Sequence, residues 1–390
     1  MNIPAEVDRL KDEMVRWRRH LHARPELGFE EVDTARFVAD VLREKGIDVV
    51  EGIGRTGLVG TLKGKHGKGP SLGLRADMDA LPMTEARALP YASRVPGRMH
   101  ACGHDGHMAT LLGAAAALSS TRNFAGTVHF IFQPAEEGQG GALAMLADGL
   151  FDSFPCDEIY AYHNSERPFG QVVVYDTVVA AAADRFTITI RGRGGHAATP
   201  HLAIDPLPIA ARILLAIEGL PGRLTDASSP AVVTVGSLHA GDAFNTIPDQ
   251  ATLIGTVRCF DEDVRLKLEQ AIRRIADSEA AAHGATARIA HETLFAPTVN
   301  SAMHAGFVRE AAAEVAGTDA IRRNPPPELG SEDFSFMLQS RPGCYFLVGQ
   351  GDAEHQAVAH DVNYDFNDRI LPIAAGIFVR LVERRLAPGA

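Results

Sequence analysis

The stretch DRFTITIRG, residues 184–192, alternates apolar and polar side chains with a period of two. Phe186, Ile188 and Ile190 share one face, as in a half-buried strand. Helix DPLPIAARILLAIEGL (205–220) follows, then strands PAVVTVGSLHA (230–240) and ATLIGTVRCF (251–260), joined by the turn-like GDAFNTIPDQ. The amphipathic run DEDVRLKLEQAIRRIADSEAAAHG (261–284) predicts a long helix, and ATARIAHETLF (285–295) a last strand. The order β-α-β-β-α-β is the ferredoxin-like arrangement. It occupies residues 183–294.

On both sides of this block the pattern differs. Helices are predicted over VDRLKDEMVRWRRHLH (7–22), EEVDTARFVADVLREKG (30–46) and HMATLLGAAAALSS (107–120). Short apolar strands lie between them: GLVGTL (57–62), SLGLRAD (71–77), GTVHFIFQ (126–133) and CDEIYAYHN (156–164). A loop rich in Pro, Gly and Arg spans residues 80–98. After 294 helix–strand alternation resumes, ending in the helix RILPIAAGIFVRLVERRL. Strands alternating with helices predict an α/β domain whose mostly parallel, mixed sheet is covered by helices. That domain is discontinuous, 1–182 and 295–390, with the ferredoxin-like α+β domain inserted.

The 390 residues suffice for two or three domains with a full core. Net charge −11 argues against nucleic acid or an anionic membrane as partner. The longest apolar run, LLGAAAAL, is too short to span a bilayer, and the first residues lack an apolar signal core. The four cysteines are scattered and match no disulfide framework. A cytoplasmic protein is expected.

Chemistry-bearing side chains gather after the strands. SLGLRAD ends in Asp77, with Asp79 just beyond. Glu136 and Glu137 follow GTVHFIFQ, and His163 ends EIYAYH. MHACGHDGH (99–107) supplies Cys102 and His104, and AHDVNYDFND (359–368) supplies His360. Open α/β sheets bind ligands outside the carboxyl ends of their strands. Cys102 and His104, two apart, would share a face in an extended segment. Adjacent Glu136 and Glu137 would diverge, so that one can hold a metal while the other faces a water. Metal-assisted hydrolysis needs that division. Five ligand-type residues suit two metals better than one tetrahedral structural site, and no Cys-x-x-Cys pair is present. His100, His107 and His129 read as structural, the first two within reach of the ligands. The remaining histidines and cysteines read as surface or core residues, and GRGGHAA (192–198) taken alone reads equally as a plain glycine turn with a solvated histidine or as a turn that presents the imidazole of His196.

RADMDALP, MHACGHDGH, QPAEEGQGGA, YAYHN, GRGGHAATP, FNTIPD, GTVRCFD, GSEDFSF and HDVNYDFND, in unbroken order, resemble the signatures of the hippurate hydrolase and indole-acetyl-amino-acid hydrolase family. These are dinuclear metallo-amidohydrolases related to aminoacylases and carboxypeptidases. The resemblance implies hydrolysis of N-acyl amino acids by a catalytic α/β domain with an inserted dimerisation (lid) domain, in a homodimer formed through 183–294. It implies that Cys102 bridges two divalent ions (manganese, zinc, cobalt or nickel) completed by His104, Glu137, His163 and His360. It makes Glu136 the general base and Asp79 a residue orienting a ligand histidine. Asp77 stands where related branches carry a histidine ligand. His196, Asn245 and Arg258 match positions that hold the substrate's carbonyl oxygen or carboxylate, His196 from the partner subunit. Val362 departs from the family's usual proline and leaves the loop around His360 open. Two rivals stand beside this reading: a hydrolase with Cys102 as nucleophile, and a non-catalytic metal- or peptide-binding protein of the same fold, which would have no need of Glu136.

Overall fold

In a computed structural model describing residues 1–226 and 229–388, the chain divides into two compact units. The first comprises residues 1–179, 299–326 and 333–390. Its eight-stranded sheet runs in the order Asp48–Ile53, Gly57–Lys63, Thr127–Gln133, Ser71–Asp77, Glu158–Pro168, Gly343–Gly351, Val172–Val174, Ile321–Arg323. The four middle strands, Thr127–Gln133 to Gly343–Gly351, are mutually parallel; three of the outer pairings are antiparallel. The sheet is thus mixed with a parallel centre. Its middle strands are near-continuous apolar runs because helices cover both faces.

Helices Lys11–His22, Val32–Glu44, His104–Thr121, Ala302–Ala316 and Leu371–Arg385 contribute to a single core with this sheet. The helix from His104 is buried from His104 to Leu118, which accounts for its run of alanines and glycine: small side chains let neighbours approach on every side. At Gly113 a Cβ would lie 2.1 Å from Met14 Sδ. Periodicity predicts one N-terminal helix; the structure has two, Ala5–Asp8 and Lys11–His22, separated by a turn at Arg9 and Leu10.

The second unit comprises residues 180–298 and 327–332. Its antiparallel sheet has the order Ala231–His239, Gln250–Cys259, Ala182–Arg191, Thr286–Phe295. That is strand order 2-3-1-4 of a β-α-β-β-α-β chain, the ferredoxin-like topology. Helices Pro206–Glu218 and Glu262–Ala282 join the sheet in one core, which takes Phe186, Ile188 and Ile190, each fully buried. Asp205 and Asp261 cap these helices by accepting from the first-turn amides of Leu207, Asp263 and Val264. The segment read as a simple turn, 241–250, contains a strand: Thr246–Ile247 pairs antiparallel with Gly195–His196. Among the described residues no helix is long and apolar enough to cross a membrane.

Candidate metal centre and its surroundings

Three adjacent parallel strands of the first unit deliver their carboxyl ends to one place. Ser71–Asp77 leads to Asp77 and Asp79, and Thr127–Gln133 leads to Glu136 and Glu137. Glu158–Pro168 carries His163 just past the end of its pairing with Ser71–Asp77. The helix His104–Thr121 starts beside them. Several donor triads with ligand atoms within 4.8 Å of one another form here, and two of them contain Cys102: Cys102, His104 and His163, and Cys102, Glu137 and His360. They share the Cys102 thiol.

The route by which Cys102 and His104 converge differs from expectation. The segment is not extended. Gly103 is left-handed (φ 92°) and the helix begins at His104, so the chain turns sharply between the two side chains. Only glycine fits: a Cβ on Gly103 would lie 2.3 Å from Asn164 Oδ1 and 2.6 Å from the Tyr364 hydroxyl oxygen. Glu136 and Glu137 likewise sit on a turn rather than extended backbone. A carboxylate oxygen of each lies within 4.8 Å of a His104 nitrogen.

The imidazoles are oriented from behind. Nδ1 of His104 is 2.8 Å from the Asp79 carbonyl oxygen and Nδ1 of His163 is 2.6 Å from that of Asn164. In the neutral ring, donation there leaves each Nε2 as the lone pair that faces the cluster. His163 Nε2 lies 3.4 Å from Cys102 Sγ. Burial, with His107 nearby, holds His163 well below the ordinary histidine range, in its neutral form. Burial also opposes charge on His104, but Asp77 and Cys102 outweigh it and hold that group well above the ordinary range. His360, tied by its amide to the Ala101 carbonyl (2.8 Å), adopts φ 69°, and Cys102 and Glu137 raise it to about 10. Burial and Glu137 push the Cys102 thiol up. Near His360, the Val362 carbonyl accepts from the Ala86 amide at 2.9 Å.

Asp77 is fully buried and lies 2.6 Å from His107 Nδ1 and 2.7 Å from Arg75 Nη1. Burial opposes its charge, yet His104, His107 and Arg75 hold it well below the usual carboxylate range. His107 Nε2 faces Asn164 Oδ1 at 2.7 Å, so this histidine backs the ligand residues. His100 is also buried beside them, whereas His129 meets the Thr61 hydroxyl on the neighbouring strand.

The turn carrying the two glutamates is gripped by buried side chains that sequence reasoning passed over. Ala135 is left-handed (φ 52°), and its amide donates to the buried Glu31 carboxylate at 2.8 Å. Thr56 donates to the other Glu31 oxygen at 2.6 Å. The Glu137 amide donates to Asp79 Oδ2 at 3.0 Å, and the Asp333 amide to Glu136 Oε1 at 3.3 Å. Glu31 sits in a stretch whose helical periodicity hid it. Asp333 lies within the GSEDFSF signature, where no role was assigned to it.

In the second unit, His196 and Asn245 come together on the short ladder: the Ala197 amide donates to the Asn245 carbonyl at 3.1 Å. His196 is exposed and its Nδ1 accepts from the Ala198 amide at 3.0 Å, so its neutral ring carries the proton on Nε2. Arg258 donates to the Ser331 hydroxyl at 2.6 Å, and burial lowers its pKa.

The donor set fits divalent cations. His104 Nε2 and Glu137 Oε1 are buried and make no hydrogen bond, although His360 Nε2 lies 3.2 Å from that oxygen. Such unpaired atoms cost about 1–3 kcal/mol each, and metal coordination would offset that. A thiolate, imidazoles and a carboxylate suit zinc and its first-row neighbours.

Residues 73–384 match the description of peptidase family M20/M25/M40. The chain is 39% identical over 389 residues to the hippurate hydrolase of Campylobacter jejuni, covering 99% of this chain and 100% of that protein. It is 37% identical to an IAA-amino acid hydrolase (ILR1-like 2) of Arabidopsis thaliana, covering 96% of this chain and 85% of that one. The crystal structure of Bacillus subtilis YXEP, described as a dinuclear metal binding peptidase, superposes with a TM-score of 0.85 at 32% identity, covering 97% and 99% of the two chains. The chain belongs to peptidase family M20/M25/M40, and it is a hydrolase acting on amides.

Proposed function

From this membership we propose that the chain hydrolyses the N-acyl amide bond of N-acyl amino acids, with two divalent ions held by Cys102, His104, Glu137, His163 and His360. The observation that carries the reading is the pair of donor triads sharing one thiol beside the buried carboxylate of Glu136. Relatives named for hippurate and for IAA-amino acid conjugates support the substrate class. When bound, such ions lower the pKa of water and polarise an acyl carbonyl.

The chain's own residues do the rest. Glu136 takes the proton of the attacking water and returns it to the leaving amine nitrogen. Asp79 orients His104 through its carbonyl and the Glu137 segment through its carboxylate. His196, its Nε2 proton set outward, donates to the acyl oxygen as negative charge develops there. Asn245 and Arg258 bind the carbonyl oxygen or the carboxylate of the amino-acid half. The working protein is a cytoplasmic homodimer formed through the inserted unit, with His196 supplied by the second copy. That unit's sheet has an edge strand, Ala231–His239, paired on one side only, and Val232 on it is exposed.

The direct test strips the metal and reloads the protein with zinc, manganese, cobalt or nickel before assaying benzoyl-, acetyl- and indole-acetyl-amino acids. Chelation should abolish turnover and at least one ion restore it. Full activity without metal would overturn the reading. A Cys102 nucleophile makes a different prediction. Cys102→Asp keeps a charged donor able to bridge, so partial activity should remain; a covalent route predicts none and leaves an acyl-thioester visible by mass spectrometry in the wild type.

A further inference from the structure

Behind Glu136 lies a buried charge network that the proposed chemistry does not use. Arg75, Asp77, Gln133 and Asp333 are each no more than 1% exposed. Arg75 donates through Nε to Gln133 Oε1 (2.9 Å), through Nη1 to Asp77 Oδ2 (2.7 Å) and through Nη2 to Asp333 Oδ1 (3.2 Å). Gln133 Nε2 donates to the same Asp333 oxygen at 2.7 Å, and the Ala142 amide donates to the other at 2.9 Å. The Asp333 amide donates to Glu136 Oε1 at 3.3 Å, and carboxylate oxygens of Glu136, Glu332 and Asp333 lie within 4.8 Å of one another.

Asp333 has an easier use for its carboxylate and does not take it. It precedes the helix Phe334–Ser340 in the N-cap position, where an aspartate ordinarily accepts from first-turn amides, but it makes no such bond. Its side chain is turned instead into the network, with donors on both oxygens. Buried ion pairs contribute little net stability over apolar replacements of similar size, so stability alone is a weak reason for this arrangement. What the network does fix is the direction of one N–H group, which meets the carboxylate read above as the base. We propose that Asp333 is a positioning residue for Glu136, held by Arg75 and Gln133. Arg75 also grips Asp77 and thereby links the support of the base to that of the histidine-bearing helix.

The inference rests on the reading of Glu136 as base, and the test separates the two. Asp333→Asn keeps the main-chain N–H and the side-chain size but cancels the charge that Arg75 holds. Expected is a kcat loss of roughly 10–100-fold, the scale of a small misplacement of a reacting group, with KM within about twofold and metal content unchanged. The decisive measurement is a double-mutant cycle with Glu136→Gln. If Asp333 acts through Glu136, adding Asp333→Asn to Glu136→Gln should cost less than about threefold more. Gln133→Met, which removes the short donor to Asp333 without leaving a cavity, should show the same non-additivity should Asp333→Asn fold poorly. Fully additive losses, or an unchanged kcat in either variant, would overturn the positioning role and leave the base intact. An unchanged kcat in Glu136→Gln alone would overturn the base and this inference with it.

Discussion

Glu136→Gln lowers kcat by at least about 10²-fold, the scale of a lost general base, while metal content stays near that of the wild type. The expectation follows from how the two adjacent glutamates are held. Glu137 Oε1 lies 3.2 Å from His360 Nε2 and in one triad with Cys102, so its removal should release an ion. Glu136 accepts from the Asp333 amide instead and shares neither of the two triads that contain Cys102. An amide in place of its carboxylate keeps the shape and the hydrogen-bond acceptor but cannot take a proton. Metal analysis beside steady-state kinetics checks both halves. If Glu136→Gln empties the site and Glu137→Gln does not, the two roles are exchanged.

His196→Ala should bind metal normally and turn over about 10²–10³ times more slowly, the usual loss for one oxyanion donor. The Ala198 amide occupies Nδ1, which leaves Nε2–H as the ring's donor without any rearrangement. In a homodimer that exchanges this residue, inactive Glu136→Gln mixed with inactive His196→Ala should regain activity, because one site then pairs an intact Glu136 with an intact His196. Subunit exchange followed by labelled chains provides the control. Verified exchange without regain would place His196 within its own chain or outside the reaction.

Much of this was readable in the sequence, for reasons that differ by element. Period-two alternation at Phe186, Ile188 and Ile190 needs only neighbours in the chain, and the ferredoxin-like order followed from it. Gly343–Gly351 was harder. It is a central parallel strand, paired with Glu158–Pro168, and an apolar run does not announce a partner so far away. The donor residues were legible because thiol, imidazole and carboxylate rarely gather after strand ends by chance. Their supports were not. Arg75 interrupts an apolar strand with no visible reason until Asp333 and Gln133 meet it. The need for glycine at 103 depends on Asn164 and Tyr364, which only the fold brings there. The extended geometry assumed for Cys102 and His104 reached the right convergence by the wrong path, since the backbone turns at Gly103.

Both donor triads depend on a single sulfur atom. Cys156, Cys259 and Cys344 are buried residues, and Cys102 is half-buried. Oxidation of the Cys102 sulfur to a sulfinic or sulfonic acid would remove a soft donor from both proposed metal positions in one event. Peroxide treatment should therefore weaken both proposed metal positions of a chain together, with the loss of activity tracking oxidation of Cys102. In the proposed two-ion site, one residue carries the oxidative vulnerability of both metal positions.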